Sequence, residues 1–283
     1  MSIKFRWLGY VCFEMVLPSG KVLVIDPFID YSETAPIKCK EVTGADYIAI
    51  THGHFDHITD VGPLVKKFNS TVICSRQIAE PLTRLFNLDF NDVIEVTAGD
   101  NVVFDDLRIE VKHGKHINLA RRMRERYEHI TGKRAGPNTS MQEMREAIRT
   151  SHSPELSEML KRIGAAGLSG GEQLNYVFQA SDNQQLYIYS SGTYEFLRNE
   201  VMQSRPNVFF PQLGGCDLKE VAEISALSGA EIVIPTHHDG DGIEAMHKSV
   251  QELSKHLASR SKAQVIDIEH GKWYELGIKV TPV

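Results

Sequence analysis

The chain has 283 residues, 42% of them hydrophobic and 24% charged, which is the composition of a globular protein large enough to bury a core without covalent staples. Its apolar runs, such as residues 22–25 and 232–234, fall far short of the ~20 residues a membrane-spanning helix needs. A net charge of −6, from 31 basic and 37 acidic residues, argues against a general attraction to nucleic acid. Four cysteines (Cys12, Cys39, Cys74 and Cys216) form neither a CxxC pair nor a disulfide framework. That usage fits a reducing compartment. The first residues carry Lys4 and Arg6 within an alternating apolar pattern and lack the apolar stretch of a signal peptide, so a cytoplasmic location is expected.

In chain order, residues 3–8, 11–16 and 21–25 are short runs rich in Val, Ile, Phe and Trp, with Pro18-Ser19-Gly20 as a turn between the last two. They predict an antiparallel meander. Strands follow at 46–50, 71–74, 93–96 and 107–111, with helical patterns at 59–68 and 76–86. Residues 117–171 differ: they hold Arg121, Arg122, Arg124, Arg126, Lys133, Arg134, Arg145 and Arg149, few β-branched residues, and a break at 136–140. This stretch predicts a helical insertion, one of whose helices starts at Ser153-Pro154, where proline suits the first helical position. Beyond it, strands are predicted at 174–180, 185–190, 207–210, 231–235, 264–268 and 272–276, and helices at 194–204, 217–228 and 242–259. Strands alternating with helices in two β-rich halves predict an α/β protein in which two sheets pack together with helices outside. A single domain over residues 1–283, with the insertion at 117–171 as a lid or an interface, is the expected organisation.

The densest chemical signal is Thr51-His52-Gly53-His54-Phe55-Asp56-His57, directly after a predicted strand. Histidine is uncommon in cores and a buried carboxylate is costly unless paired or metal-bound, so such a cluster is most simply stabilised by a divalent cation. Catalytic metal sites take about three protein ligands per ion, more than this loop supplies. Two further strand ends offer imidazole. Leu107, Ile109, Val111 and His113 share one face of an alternating strand, with His116 three residues on, and the buried-type strand at 231–235 runs into His237 and His238. His129, His152, His247, His256 and His270 sit in helical or terminal contexts and read as solvated or structural.

The pattern His52-x-His54-x-Asp56-His57 resembles the HxHxDH motif of the metallo-β-lactamase superfamily, and Val24-Ile25-Asp26-Pro27 looks like that superfamily's strand with a supporting aspartate. Phe5-Arg-Trp-Leu-Gly9-Tyr10 and Ile234-Pro-Thr-His237 are similar to the branch containing ascorbate-6-phosphate lactonase and the N-acylphosphatidylethanolamine phospholipase D enzymes. The resemblance implies a four-layer αββα sandwich with a metal site at one edge of the two sheets. It implies a first metal held by His52, His54 and His113, a second by Asp56, His57 and His237, and Asp26 bonded to a ligand imidazole. One or two divalent ions are expected, zinc first, with manganese and iron as alternatives. The family's bridging aspartate has no counterpart in Leu186-Tyr-Ile-Tyr-Ser190-Ser191-Gly192-Thr193, so a single ion is an open alternative, with Ser190 or Ser191 supporting water at the metal.

A cation held by neutral imidazoles brings the pKa of its water toward ~7 and so supplies hydroxide at neutral pH. The expected activity is a metal-dependent hydrolase cleaving a small ester, lactone or phosphodiester; no GxSxG elbow points to covalent catalysis. Asp56 is the candidate to orient the attacking hydroxide and return a proton, and His238 to donate to the oxyanion. His54 stands where the oxygen-reducing branch has glutamate, favouring hydrolysis over redox chemistry. Arg121, Arg122 and Arg124, with Arg126, are candidates to bind an anionic, for example phosphorylated, small-molecule substrate. Nucleic acid is not an expected partner, and a homo-oligomer stays open. The alternative is a non-catalytic metal or ligand sensor on the same fold.

Overall fold

The computed structural model of the protein describes residues 2–180, 184–240 and 242–277, with Arg121 described through its backbone alone. The opening meander is β1 (Ile3–Trp7), β2 (Phe13–Val16) and β3 (Val22–Ile25), antiparallel through pairs such as Phe5↔Met15 and Phe13↔Ile25. Next come β4 (Tyr47–Ala49), α1 (Phe55–Ile58), α2 (Val61–Phe68), β5 (Thr71–Ser75), α3 (Arg76–Phe86) and β6 (Val93–Val96); their strands extend the sheet in parallel from β3. The second sheet begins with β7 (Asn101–Val103) and β8 (Leu107–His113). Three helices follow, α4 (Leu119–Thr131), α5 (Met141–Thr150) and α6 (Pro154–Ala165), before β9 (Leu174–Ala180) pairs antiparallel with β8. The chain continues through β10 (Gln185–Tyr189), α7 (Arg198–Ser204), β11 (Val208–Pro211), α8 (Leu218–Ser228), β12 (Ile232–Val233), α9 (Ile243–Ala258) and β13 (Gln264–Val265). It closes with β14 (Tyr274–Leu276), which returns to the first sheet beside β1.

The two sheets have the strand orders β14-β1-β2-β3-β4-β5-β6 and β13-β12-β11-β10-β9-β8-β7. Period-2 alternation aims one face of each at the other: Ile3, Phe5 and Trp7 from β1 meet Ile109 and Val111 from β8 and Phe210 from β11 in the central apolar layer. The opposite faces are covered by helices, Ile78 and Leu82 of α3 on the first sheet, Val201 of α7 and Val221 of α8 on the second. The result is the αββα sandwich that strand–helix alternation predicts. Among the described residues, β7 is the one strand absent from the sequence reading, because Asn101 and Val103 are exposed and no apolar face marks it.

The stretch between β8 and β9 is helical as expected, but its parts differ. In α6, Ser153 caps the helix by accepting from Leu156 N, and Pro154 occupies its first turn. Its Met159 and Ile163 pack into the layer outside the first sheet, beside α2 and α3. That helix is therefore part of the wall of the sandwich, whereas α4 and α5 overhang the sheet edge.

Three contacts fix the site-bearing end. Tyr176 Oη donates to Ile50 O (2.8 Å), Leu174 N to Thr51 O (2.9 Å) and Gly53 N to Gly170 O (2.9 Å), so the loop after β4 is tied to the second sheet. Residue 53 must be glycine, since a Cβ there would lie 2.3 Å from Ser169 O. Away from this end, Arg6 and Glu14 form a buried pair, with Glu14 also accepting from Thr43 N (2.8 Å). Replacing Glu14 by Ala strands the Arg6 charge, and unfolding in urea should show a loss of about 3–5 kcal/mol; a loss below about 1 kcal/mol would mean that Arg6 reaches solvent instead.

Candidate metal centre

The site is built around Asp26, which directly follows β3, is fully buried, and sits at φ 43°. One carboxylate oxygen accepts from Thr51 N (2.7 Å), the other from Thr51 Oγ1 (2.7 Å) and His57 Nδ1 (2.8 Å). These bonds dictate tautomers. Thr51 gives its only hydroxyl proton to Asp26, so Thr51 Oγ1 accepts from His52 Nδ1 (3.1 Å), and His52 Nε2 is left with a lone pair. His57 donates through Nδ1 in the same way, which leaves its Nε2 facing Asp56 (3.8 Å). His116 uses Nδ1 on Ile117 O (3.1 Å), and its Nε2 is likewise free of a proton.

The ligating atoms fall into two groups, each with its atoms within 4.8 Å of one another: His52, His54 and His116, and Asp56, His57 and His237. His52 Nε2 and His54 Nδ1 are 2.9 Å apart, and His237 Nε2 is 3.4 Å from Asp56 Oδ2. The groups adjoin, with the His52 and His57 ring centres separated by 4.0 Å. Burial, reinforced by the neighbouring imidazoles, holds His52 well below the usual histidine range; burial likewise lowers His54, to about 4, and His116. Burial alone would raise Asp56, but His57 and His237 outweigh it and keep the carboxylate ionised. Burial alone would lower His57, but the Asp26 and Asp56 carboxylates outweigh it and raise its pKa, so a cation there would take the place of its Nε2 proton. Neutral imidazoles in the first group, and an ionised carboxylate in the second, form a donor set suited to a divalent cation. Among the described residues, Asp30, Cys39 and Asp60 form a third close group, but the Cys39 thiol donates to Asp60 Oδ1 (3.2 Å) and burial pushes its pKa up.

Several sequence-predicted residues lie elsewhere. His113, expected to complete the first group, is at the tip of β8 with its side chain 60% exposed and Nδ1 bonded to Glu200 Oε1 (2.6 Å). The backbone then turns through Gly114, whose missing side chain lets it pass Gln173 O and Ser191 Oγ, and His116 arrives in its place. His238 does not reach the cavity: it stacks on Trp7 (ring centres 5.2 Å apart), neither ring nitrogen has a hydrogen-bond partner of normal geometry, and burial lowers its pKa to about 4. His238 is thus outside the set of residues that line the cavity. Ser191 accepts from Lys115 N (3.1 Å) and donates to Asn175 Oδ1 (3.0 Å), so it braces the His116 loop. Ser190 Oγ lies 3.4 Å from Thr51 Oγ1, and among the described residues no carboxylate joins the two groups in its place.

A cavity of about 290 Å³ opens on this centre, lined by His54, Asp56, His116 and His237 at one edge and by α4 and α5 at the other. Arg122 and Arg126 line it; Arg124 is exposed on another side of α4, and the Arg121 side chain lies outside the described residues. His152, read from sequence as solvated or structural, also lines the cavity and meets the Phe55 ring. Tyr10 was not singled out as a site residue, yet its ring packs edge-on against His237 (5.0 Å) and its carbonyl accepts from His237 N (2.9 Å). A lone tyrosine after a glycine carries the signature of a turn, and only the fold places it beside the centre.

The beta-lactamase superfamily domain family matches residues 21–165, just over half of the chain. The chain belongs to this family. Among its relatives, a UPF0173 metal-dependent hydrolase of Solibacter usitatus is 48% identical over 71 residues, covering 25% of this chain and 30% of the relative. Another, from Koribacter versatilis, is 33% identical over 115 residues, covering 41% and 48%. The matched segments thus span less than half the length of these curated relatives. Among solved structures, Igni18, described as a novel metallo hydrolase from Ignicoccus hospitalis, superposes with a TM-score of 0.68 at 18% identity, covering 99% of this chain and all of the other. That likeness is one of fold.

The two candidate ligands at the end of β8 are separable by titration calorimetry with zinc on chelator-treated protein. His116→Ala should weaken binding to the first group at least ~10-fold, while His113→Ala leaves it unchanged; the reverse order would return the ligand role to His113.

Proposed function

We propose that this family member is a metal-dependent hydrolase of a small ester, lactone or phosphodiester. The observation carrying the reading is that two ligand groups, their tautomers set by Asp26, Thr51 and Ile117 O, open together into one small cavity. A bound divalent cation, zinc by preference for this imidazole-rich set, would polarise a carbonyl or phosphoryl oxygen and activate water. The names of the relatives, metal-dependent hydrolases, support the same class.

The protein's own residues supply the rest. Asp56, ionised and lining the cavity, is placed to accept a proton from the attacking water and pass it to the leaving group. Tyr10, which lines the cavity where His238 does not, supplies the donor for the oxyanion. Burial, and then the charges of Asp56 and Asp239, raise its pKa far above neutrality, so its hydroxyl keeps its proton and can bond a developing oxyanion. Side-chain nucleophiles have little support: Cys12, Cys39 and Cys74 are buried and their thiols are pushed up by burial. In this reading α4 and α5 form the lid of the reaction chamber.

Purified protein should hydrolyse members of a lactone panel or bis-p-nitrophenyl phosphate, lose that activity on chelation and regain it with zinc or manganese. Turnover of none of these with tightly bound metal would favour the sensor alternative. Tyr10→Phe should lower kcat about 10²-fold with a much smaller change in KM; an unchanged kcat would remove Tyr10 from the reaction.

A further inference from the structure

Within the cavity, the wall opposite the metal edge is chemically divided. Met123 and Ile148 give it apolar surface, continued at the metal edge by Phe55, while Arg122 and Arg126, one helical turn apart on α4, bring two cationic groups to the same space. Among the described residues, no carboxylate lies within ion-pair distance of Arg126, and Arg122 has only a distant contact with Glu125 Oε2 (3.9 Å) in its own helix. The one acid lining the cavity among the described residues, Asp56, is already engaged with His57 and His237. Both arginines bear electrostatically on the Tyr10 hydroxyl, so their charge acts close to the reactive edge.

Two guanidinium groups beside apolar walls, one paired only at 3.9 Å with Glu125 and the other with no carboxylate within ion-pair distance among the described residues, favour an anion between them. The fork geometry of guanidinium suits carboxylate and phosphate, and a cavity of about 290 Å³ restricts the ligand to a compact molecule. We infer that the site takes a small amphiphilic anion: an apolar body of roughly aromatic-ring size against Phe55, Met123 and Ile148, and a carboxylate or phosphate group held by Arg122 and Arg126. This deepens the hydrolase reading and rests on it for the claim that the ligand is a substrate; the binding claim stands without it.

The test is calorimetric titration of the full chain, both as purified and after chelation, with phenyl phosphate, phenylacetate, inorganic phosphate, acetate and benzyl alcohol. Phenyl phosphate or phenylacetate should bind at least ~10-fold more tightly than the bare anions and the neutral alcohol, and their ratio tells which anionic group is preferred. Arg126→Gln and Arg122→Gln should each lose about tenfold of that affinity, while the exposed Arg124→Gln keeps it and all three retain the zinc stoichiometry of the parent. Equal binding of benzyl alcohol and the aromatic anions, or undiminished binding in both Arg122→Gln and Arg126→Gln, would overturn the inference. Tight anion binding with no hydrolysis by the metal-loaded protein would leave the inference standing and remove the hydrolase reading instead.

Discussion

The carboxylate of Asp26 is the constraint on which the centre depends. Buried without access to water, it is satisfied by three donors, and two of them belong to Thr51, the residue before the histidine cluster. A charge in that position is tolerable only while every donor stays in place, so the end of β3 and the loop after β4 are locked as one unit. The same bonds hand a fixed proton arrangement to His57 directly and to His52 through the Thr51 hydroxyl. Geometry and protonation are therefore set together, before any ligand arrives.

The centre is asymmetric in charge. The first group is three imidazoles and brings none, whereas the second brings the Asp56 carboxylate with the Asp26 carboxylate directly behind His57. Among the described residues no acid spans the two, and Ser190, in the loop after β10, is held near Thr51. Two dications at such a centre would repel each other with little compensation from the protein between them. In charge, the two groups are accordingly not equivalent.

Much of this was legible before folding was considered. Strand–helix alternation announced the sandwich, and the packing of three histidines and an aspartate into six positions announced a cation site, because no apolar core accommodates such a run. What escaped depended on backbone excursions that periodicity does not encode. Alternation assigns His113 to the inward face of β8, but the chain leaves the sheet at Gly114 and the inward histidine is His116. For the arginines the signal was present in the helical period: positions four apart share a face, which groups Arg122 with Arg126 and sends Arg124 elsewhere. Tyr10 had no local signal at all, since its relation to His237 is made only when distant ends of the chain meet.

The loop that carries His116 has a mechanical consequence. Only Ile117 and Asn118 separate this histidine from the first residue of α4, and the loop is clamped from below by Ser191 Oγ, by the bond from Gly192 N to Lys115 O, and by Tyr194 Oη on His116 O. The helix over the cavity is thus joined to a candidate ligand by a tether two residues long. Anything that tilts α4 pulls on that imidazole, and anything that anchors the imidazole steadies α4. A cation held by that imidazole would therefore be linked to the pose of α4, each biasing the other.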